Sequence, residues 1–219
     1  MNHRIKIKSY PNRIYLMLAF MCLSVPAVAG ESLHELQTRW ADVTYEVADG
    51  DRVDALTKLA DRARQLSFQA PKDPEVLIWK GIIVSSLAGE KGGFGALGLA
   101  KEAKASLEEA LEIDPGALQG SASTSLGTLY HQVPGWPIGF GSDKKARKLL
   151  QNALSVNPQG IDPNYFMALF LMDEGMHLEA QEHLLAAQAA PARKGRELAD
   201  SGRQREIDVA LAEVLQNLD

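Results

Sequence analysis

The sequence predicts an all-α fold: a solenoid of stacked helical hairpins with long inter-helix loop insertions and a C-terminal capping helix. Three observations predict it. Small and apolar residues recur at helical spacing in successive stretches, as Ala103, Leu107 and Ala110, then Ala146, Leu150 and Ala153, then Ala180, Leu184 and Ala187. Asp73-Pro74, Asp114-Pro115 and Asp162-Pro163 each put a helix-capping carboxylate before a proline, whose missing N–H costs nothing in a first helical turn. No stretch alternates apolar and polar residues over the length of a strand.

Leu33, Leu36, Trp40, Val43 and Val47 predict a helix from Ser32 to about Ala48, with Ser32 as its N-cap. Gly50-Asp51 breaks it, and Leu56, Leu59, Ala63 and Leu66 mark a second helix ending before Pro71. This pair, 32–71, reads as a degenerate first repeat, because a terminal repeat must show one face to water. Helices are then expected over 75–88, 100–113, 117–131, 143–156, 163–174 and 177–190, paired in repeats 72–115, 116–158 and 159–192. A capping segment, 193–219, carries a last helix over about 194–217. Leu126-Gly127, Tyr130, Ala146, Leu150, Ala153 and Pro158 fit the tetratricopeptide pattern W-x2-L-G-x2-Y…A-x3-F…P, in which Ala103, Ala146 and Ala180 take the small position of closest helix approach. Such repeats bury a core only by stacking, and their product is a recognition surface.

Two repeats are longer than the usual 34 residues, and the excess falls between their paired helices. The first insertion runs Gly89-Glu90-Lys91-Gly92-Gly93-Phe94-Gly95-Ala96-Leu97-Gly98 and reads as a connector from which Phe94 and Leu97 dock on the solenoid. The second, 133–141, holds Trp136 and Phe140 among prolines and glycines that forbid a regular helix. Equivalent insertions in neighbouring repeats emerge on one side of a solenoid.

Arg4, Lys6, Lys8 and Arg13 precede an apolar run over 14–25 and the tripeptide Ala27-Val28-Ala29. That order is a secretory signal, 1–29, with cleavage expected after Ala29 and the mature chain in the periplasm. The apolar run contains Ser24, precedes Pro26 and falls short of the ~20 residues of a spanning helix, so no integral membrane span is expected. Cys22 is the only cysteine and lies within this segment, so the mature chain has no disulfide or thiol nucleophile. In Ala19-Phe20-Met21-Cys22 the residues just before the cysteine, Phe20 and Met21, are too large for a lipoprotein box, which argues against lipid anchoring at Cys22. Of 23 Lys+Arg and 28 Asp+Glu, the first 29 residues hold four bases and no acid, which leaves 19 against 28 and a net charge of −9. That sign disfavours a nucleic-acid partner, which would require a concentrated basic face.

The words Leu126-Gly127-Thr128-Leu129-Tyr130, Gln132-Val133-Pro134-Gly135-Trp136-Pro137-Ile138-Gly139-Phe140-Gly141 and Gly160-Ile161-Asp162-Pro163-Asn164-Tyr165-Phe166 resemble the T-component (TatT) family of tripartite ATP-independent periplasmic (TRAP) transporters. The likeness extends over about residues 74–215. It implies a periplasmic tetratricopeptide-repeat scaffold without enzyme activity, with the transporter's solute-binding protein as partner and a capacity for self-association.

The candidate contact residues, for partner or ligand, are Trp136 and Phe140, with Tyr130 and His131 at the preceding helix end and Tyr165 and Phe166 in the third word. Two readings of the loop stand side by side: a structural plug between helices, or a recognition element. A small apolar ligand carried in a groove lined by Trp136 and Phe140 is the alternative function. Other constellations are weaker. The glycines at 89, 92, 93, 95 and 98 lack the Lys-Ser/Thr of a phosphate loop, so no nucleotide cofactor is expected. Glu179 and His183 share a helical face, but with His177 and Glu182 they read as solvated surface rather than a metal site. Ser121, Ser123 and Ser125 lie along one helix instead of on a strained nucleophile turn, and no catalytic set is assigned. Arg193, Lys194, Arg196, Arg203 and Arg205 form a basic cluster in an acidic chain, read as balancing Glu197, Asp200 and Glu206 rather than as binding an anion.

Overall fold

The computed structural model describes residues 32–218, and of Phe94 only the backbone. The signal, its cleavage site, Cys22 and the docking of Phe94 therefore lie outside the described residues. Those residues fall in one compact unit. They form nine α-helices and one short 3-10 turn, with no strand among them.

Helix α1 (Leu33–Tyr45) starts as expected, from a capping box in which the Ser32 hydroxyl accepts from the Glu35 N–H and the Ser32 N–H donates to the Glu35 carboxylate, at 2.7 Å. Helix α2 (Asp49–Gln69) corrects the expected break at Gly50-Asp51. The chain turns at 46–48 instead, and Gly50 sits in the first turn of α2, between Asp49 and Asp51, whose carboxylates favour a helix N-terminus.

Helices α3 (Pro74–Lys91) and α4 (Gly93–Ile113) correct the first insertion. It is no loop: the two helices absorb it and meet at Gly92, which with Gly93 takes positive φ of 57° and 60°. Isolated glycines cost a helix only about 1 kcal/mol each, and burial of Leu87, Ala88 and Ala100 outweighs that. Asp73 caps α3, its carboxylate accepting from the Glu75 N–H at 2.9 Å.

Asp114-Pro115 does not start a helix. Asp114 ends α4, its carboxylate accepts from the Gly116 N–H at 2.8 Å, and a 3-10 turn (Ala117–Gly120) follows with Leu118, Gln119 and Gly120 at positive φ. Helix α5 (Ser121–Gln132) then runs to the second insertion. Helix α6 (Asp143–Val156) matches its expected bounds, with Ser142 accepting from the Lys145 N–H. Helix α7 (Ile161–Asp173) begins two residues before Pro163, because Asp162 is drawn into ion pairs instead of capping. Gly175, at φ 74°, makes the expected turn into α8 (His177–Gln188). The last helix, α9 (Glu197–Gln216), starts after Gly195.

The hairpins α3/α4, α5/α6 and α7/α8 pack side by side, as a tetratricopeptide-type solenoid requires. Their close approaches repeat. A Cβ on Gly81 would meet Leu107 Cγ at 2.6 Å, and one on Gly127 would meet Leu150 Cγ at 2.9 Å. Ala103, Ala146 and Ala180 are fully buried. Ala180→Trp is expected to overpack the α7/α8 crossing and lower stability by roughly 1–3 kcal/mol, read by thermal unfolding; an unchanged melting curve contradicts this register.

Helix α9 does more than cap. It packs on α8, on α7 and on α1, so the last helix meets the first. Gly202 makes this contact: the Tyr45 ring lies where its Cβ would be, so this helical glycine serves the α1/α9 approach.

Candidate functional site

The second insertion is a folded loop. The Gly141 N–H donates to the Pro134 carbonyl at 3.0 Å, the Ser142 N–H to the Tyr130 carbonyl at 2.8 Å and the Gly139 N–H to the Gly135 carbonyl at 3.1 Å. A Cβ at Gly141 would strike the Val133 carbonyl, and one at Gly139 the Pro134 carbonyl, so both glycines are required by close approach. The Trp136–Pro137 peptide is cis.

This loop separates its two aromatics. Phe140 packs edge-on to Tyr130 at 5.5 Å, with Lys104 Nζ 5.8 Å from each ring. Tyr130 is buried, and its hydroxyl donates to Glu108 at 3.3 Å. Phe140 therefore anchors the loop on α4 and α5. Trp136 points away, 90% exposed, with Ile138 beside it at 70%. Phe140→Ala is expected to cost about half of the ~3–5 kcal/mol lost when a fully buried Phe is truncated. Trp136→Ala should stay within about 0.5 kcal/mol of the parent. Parallel denaturant melts check both, and equal losses would contradict the division.

His131 turns from the loop toward α7. Its Nε2 lies 2.7 Å from an Asp173 carboxylate oxygen, and its ring meets Phe170 edge-on at 5.1 Å. That contact ties the end of α5 to the end of α7. Tyr165 is buried and Phe166 half-buried; the Arg203 guanidinium lies 4.4 Å from the first ring and 4.7 Å from the second. The six candidate residues thus do not form one site. Tyr130 and Phe140 support the loop, His131 ties α5 to α7, Trp136 is exposed, and Tyr165 and Phe166 belong beside α9.

A cavity of about 800 Å³ lies among α1, α3, α5, α7 and the segment leading into α9. Phe166 lines it; Trp136 and Phe140 do not, so the groove expected between them is not where the enclosed space lies. Trp40 and Trp79 form one wall, with ring centroids 5.7 Å apart, and the Trp40 indole N–H donates to Ser86 at 2.9 Å. Facing hydroxyls come from Ser121, Thr124, Ser125 and Thr128 of α5.

Cations enter from the α8–α9 segment. Asp162 accepts from Arg193 at 2.6 Å and from Arg203 at 3.0 Å, while Arg193 also bonds Asp200 and Arg203 bonds Glu206. Burial opposes the Asp162 charge, but the Arg203 and Arg193 guanidiniums overcome it and hold the carboxyl below its ordinary value. The basic cluster is thus balanced partly as expected, through Asp200 and Glu206, but its central anion is Asp162. Glu197 instead accepts the Gly195 N–H at 3.0 Å, and Arg196 has no carboxylate partner among the described residues. The cluster itself is visible in the sequence, but its assembly around Asp162 is not, because nothing in local spacing says that α9 returns to α1. Asp162 carried a signal, a carboxylate before proline, that capping absorbed.

His183 bonds the Asn164 side chain through Nδ1 at 2.9 Å, and burial lowers its pKa. No described helix is long and apolar enough to cross a membrane.

The sequence matches no protein-family model and no curated protein. Among solved structures, the chain is similar to TTC0263, a thermophilic TPR protein of Thermus thermophilus, at TM-score 0.51 and 23% identity, over 84% of this chain and 91% of that one. It also matches MamA 41-end from Desulfovibrio magneticus RS-1 at TM-score 0.44 and 13% identity, over 86% of this chain and 97% of that one. The first likeness agrees with the hairpin stacking, and the fold is an all-α, tetratricopeptide-type helical solenoid.

Proposed function

We propose that this chain is a non-catalytic periplasmic scaffold that binds a protein partner, the solute-binding protein of a TRAP-type transporter. The observation that carries a recognition role is the exposed pair Trp136 and Ile138 on a loop locked by Phe140, Gly139 and Gly141. A large aromatic carried on a loop whose backbone is already fixed costs less entropy on binding, and such residues dominate interface energies. The partner class and compartment come from the resemblance to the T-component family and from the secretory order of residues 1–29.

Two measurements test this reading. Intact-mass analysis of the exported chain should show cleavage after Ala29; an acylated species retaining Cys22 would contradict the unanchored form. Titration with a purified TRAP solute-binding protein should give saturable binding that Trp136→Ala with Ile138→Ala weakens at least tenfold without moving the melting temperature. Absence of binding, or equal binding by the double variant, would overturn the assignment.

A further inference from the structure

Among the described residues, four cationic side chains line the central cavity, and Asp162 is the one acidic residue that lines it with them. Arg193 and Arg203 are committed to carboxylates. Arg196 and Lys194 are not, among the described residues. Arg196 stacks instead on indoles, its guanidinium carbon 4.6 Å from the Trp79 ring centroid and 5.9 Å from that of Trp40. Stacking satisfies the face of a guanidinium, not its edge, and the edge carries the N–H donors. Its Nε is buried without a partner. Burial and the nearby Arg193 charge both press against its protonated form, which marks a cation that a bound anion would relieve.

We propose that the cavity binds a small organic carboxylate that bears hydroxyl groups, with the carboxylate on the Arg196 edge and Lys194 beside it. A planar fork with one unspent charge matches a carboxylate, which it can grip with two parallel hydrogen bonds. A phosphate dianion fits less well, because Asp162 lies on the same wall and the Gly195 N–H is already taken by Glu197. Hydroxyls of α3 and α5 set the body of the ligand. Ser85 and Ser86 donate to the Ile82 carbonyl, Ser121 to that of Leu118 and Thr128 to that of Thr124. The oxygens of Ser85, Ser121 and Thr128 are left as acceptors, which suits O–H groups on the ligand, while that of Ser86 already accepts the Trp40 indole N–H. The volume lies within the ~300–1,000 Å³ usual for small-molecule sites. The inference is independent of the scaffold reading, since it uses none of the Trp136 loop.

The test uses the full chain with Trp136→Phe, which leaves Trp40 and Trp79 as its only tryptophans. Their emission is titrated with glycerate, gluconate and 4-hydroxymandelate, with the amide of each acid, and with inorganic phosphate. At least one acid should saturate the signal and bind at least tenfold more tightly than its amide and than phosphate. Arg196→Gln should weaken that acid at least tenfold, Arg196→Lys should recover part of the loss, and Ser125→Phe, which fills the cavity from α5, should also block binding. The proposal is overturned if no acid saturates, if amide or phosphate binds as well as the acid, or if folded Arg196→Gln and Ser125→Phe bind like the parent.

Discussion

Asp162→Ala is expected to lower stability by about 3 kcal/mol, the lower end of the ~3–5 kcal/mol lost when one partner of a buried ion pair is removed. The lower end applies because 30% of the Asp162 side chain still meets solvent. The loss has an identified origin: Arg193 and Arg203 would keep their charges with only Asp200 and Glu206 to face them. Both arginines enter from the α9 side while Asp162 stands in the first turn of α7, so the substitution should also loosen α9. Amide hydrogen exchange across α9 should rise more than across α3. Acid should mimic the substitution. The Asp162 carboxyl is held below its ordinary value, so its contribution is complete above the unfolded carboxyl pKa of about 3.9 and is lost as pH falls through the depressed folded value. Acid-unfolding curves of parent and variant should therefore converge only below that pH. A parallel offset down to the lowest pH would contradict the ion-pair origin.

Leu150→Ala should be at least as damaging, within the range of about 2–5 kcal/mol for buried Leu→Ala changes. Leu150 is fully buried and occupies the space that a side chain at Gly127 would need, so its removal opens a hole at the α5/α6 crossing. Backbone contact there resists collapse, which favours the upper half of the range. Denaturant melts with an unchanged m-value check it; a loss under about 1 kcal/mol would mean that the glycine and leucine do not face each other.

The fold was legible because its main signals are local. Small residues at fixed helical spacing appear in sequence as Ala103, Ala146 and Ala180, and all three are buried where expected. Punctuation was less faithful. Of three Asp-Pro pairs only Asp73-Pro74 caps a helix, because Gly116 offered Asp114 a tighter turn and two arginines claimed Asp162. The glycines between 89 and 98 spell a loop by composition, yet only Gly92 and Gly93 use the freedom that glycine offers. The site was legible in part. Trp136 and Phe140 stood out by residue type, but their opposite exposures depend on Tyr130 and Lys104, brought there from α5 and α4. The cavity had no sequence signature, since Trp40, Trp79, Phe166 and Arg196 come together only when α9 meets α1.

That closure supports the cavity, the arginine cluster and the rigidity of the scaffold alike. It is tested most directly by nuclear Overhauser contacts between the Tyr45 ring and the Gly202 α-protons in the isolated protein in solution. The account predicts strong cross-peaks, with the Gly202 α-protons displaced by the ring current of a tyrosine packed on them. An open solenoid, with α9 on α7 and α8 but free of α1, would show neither and would contradict it.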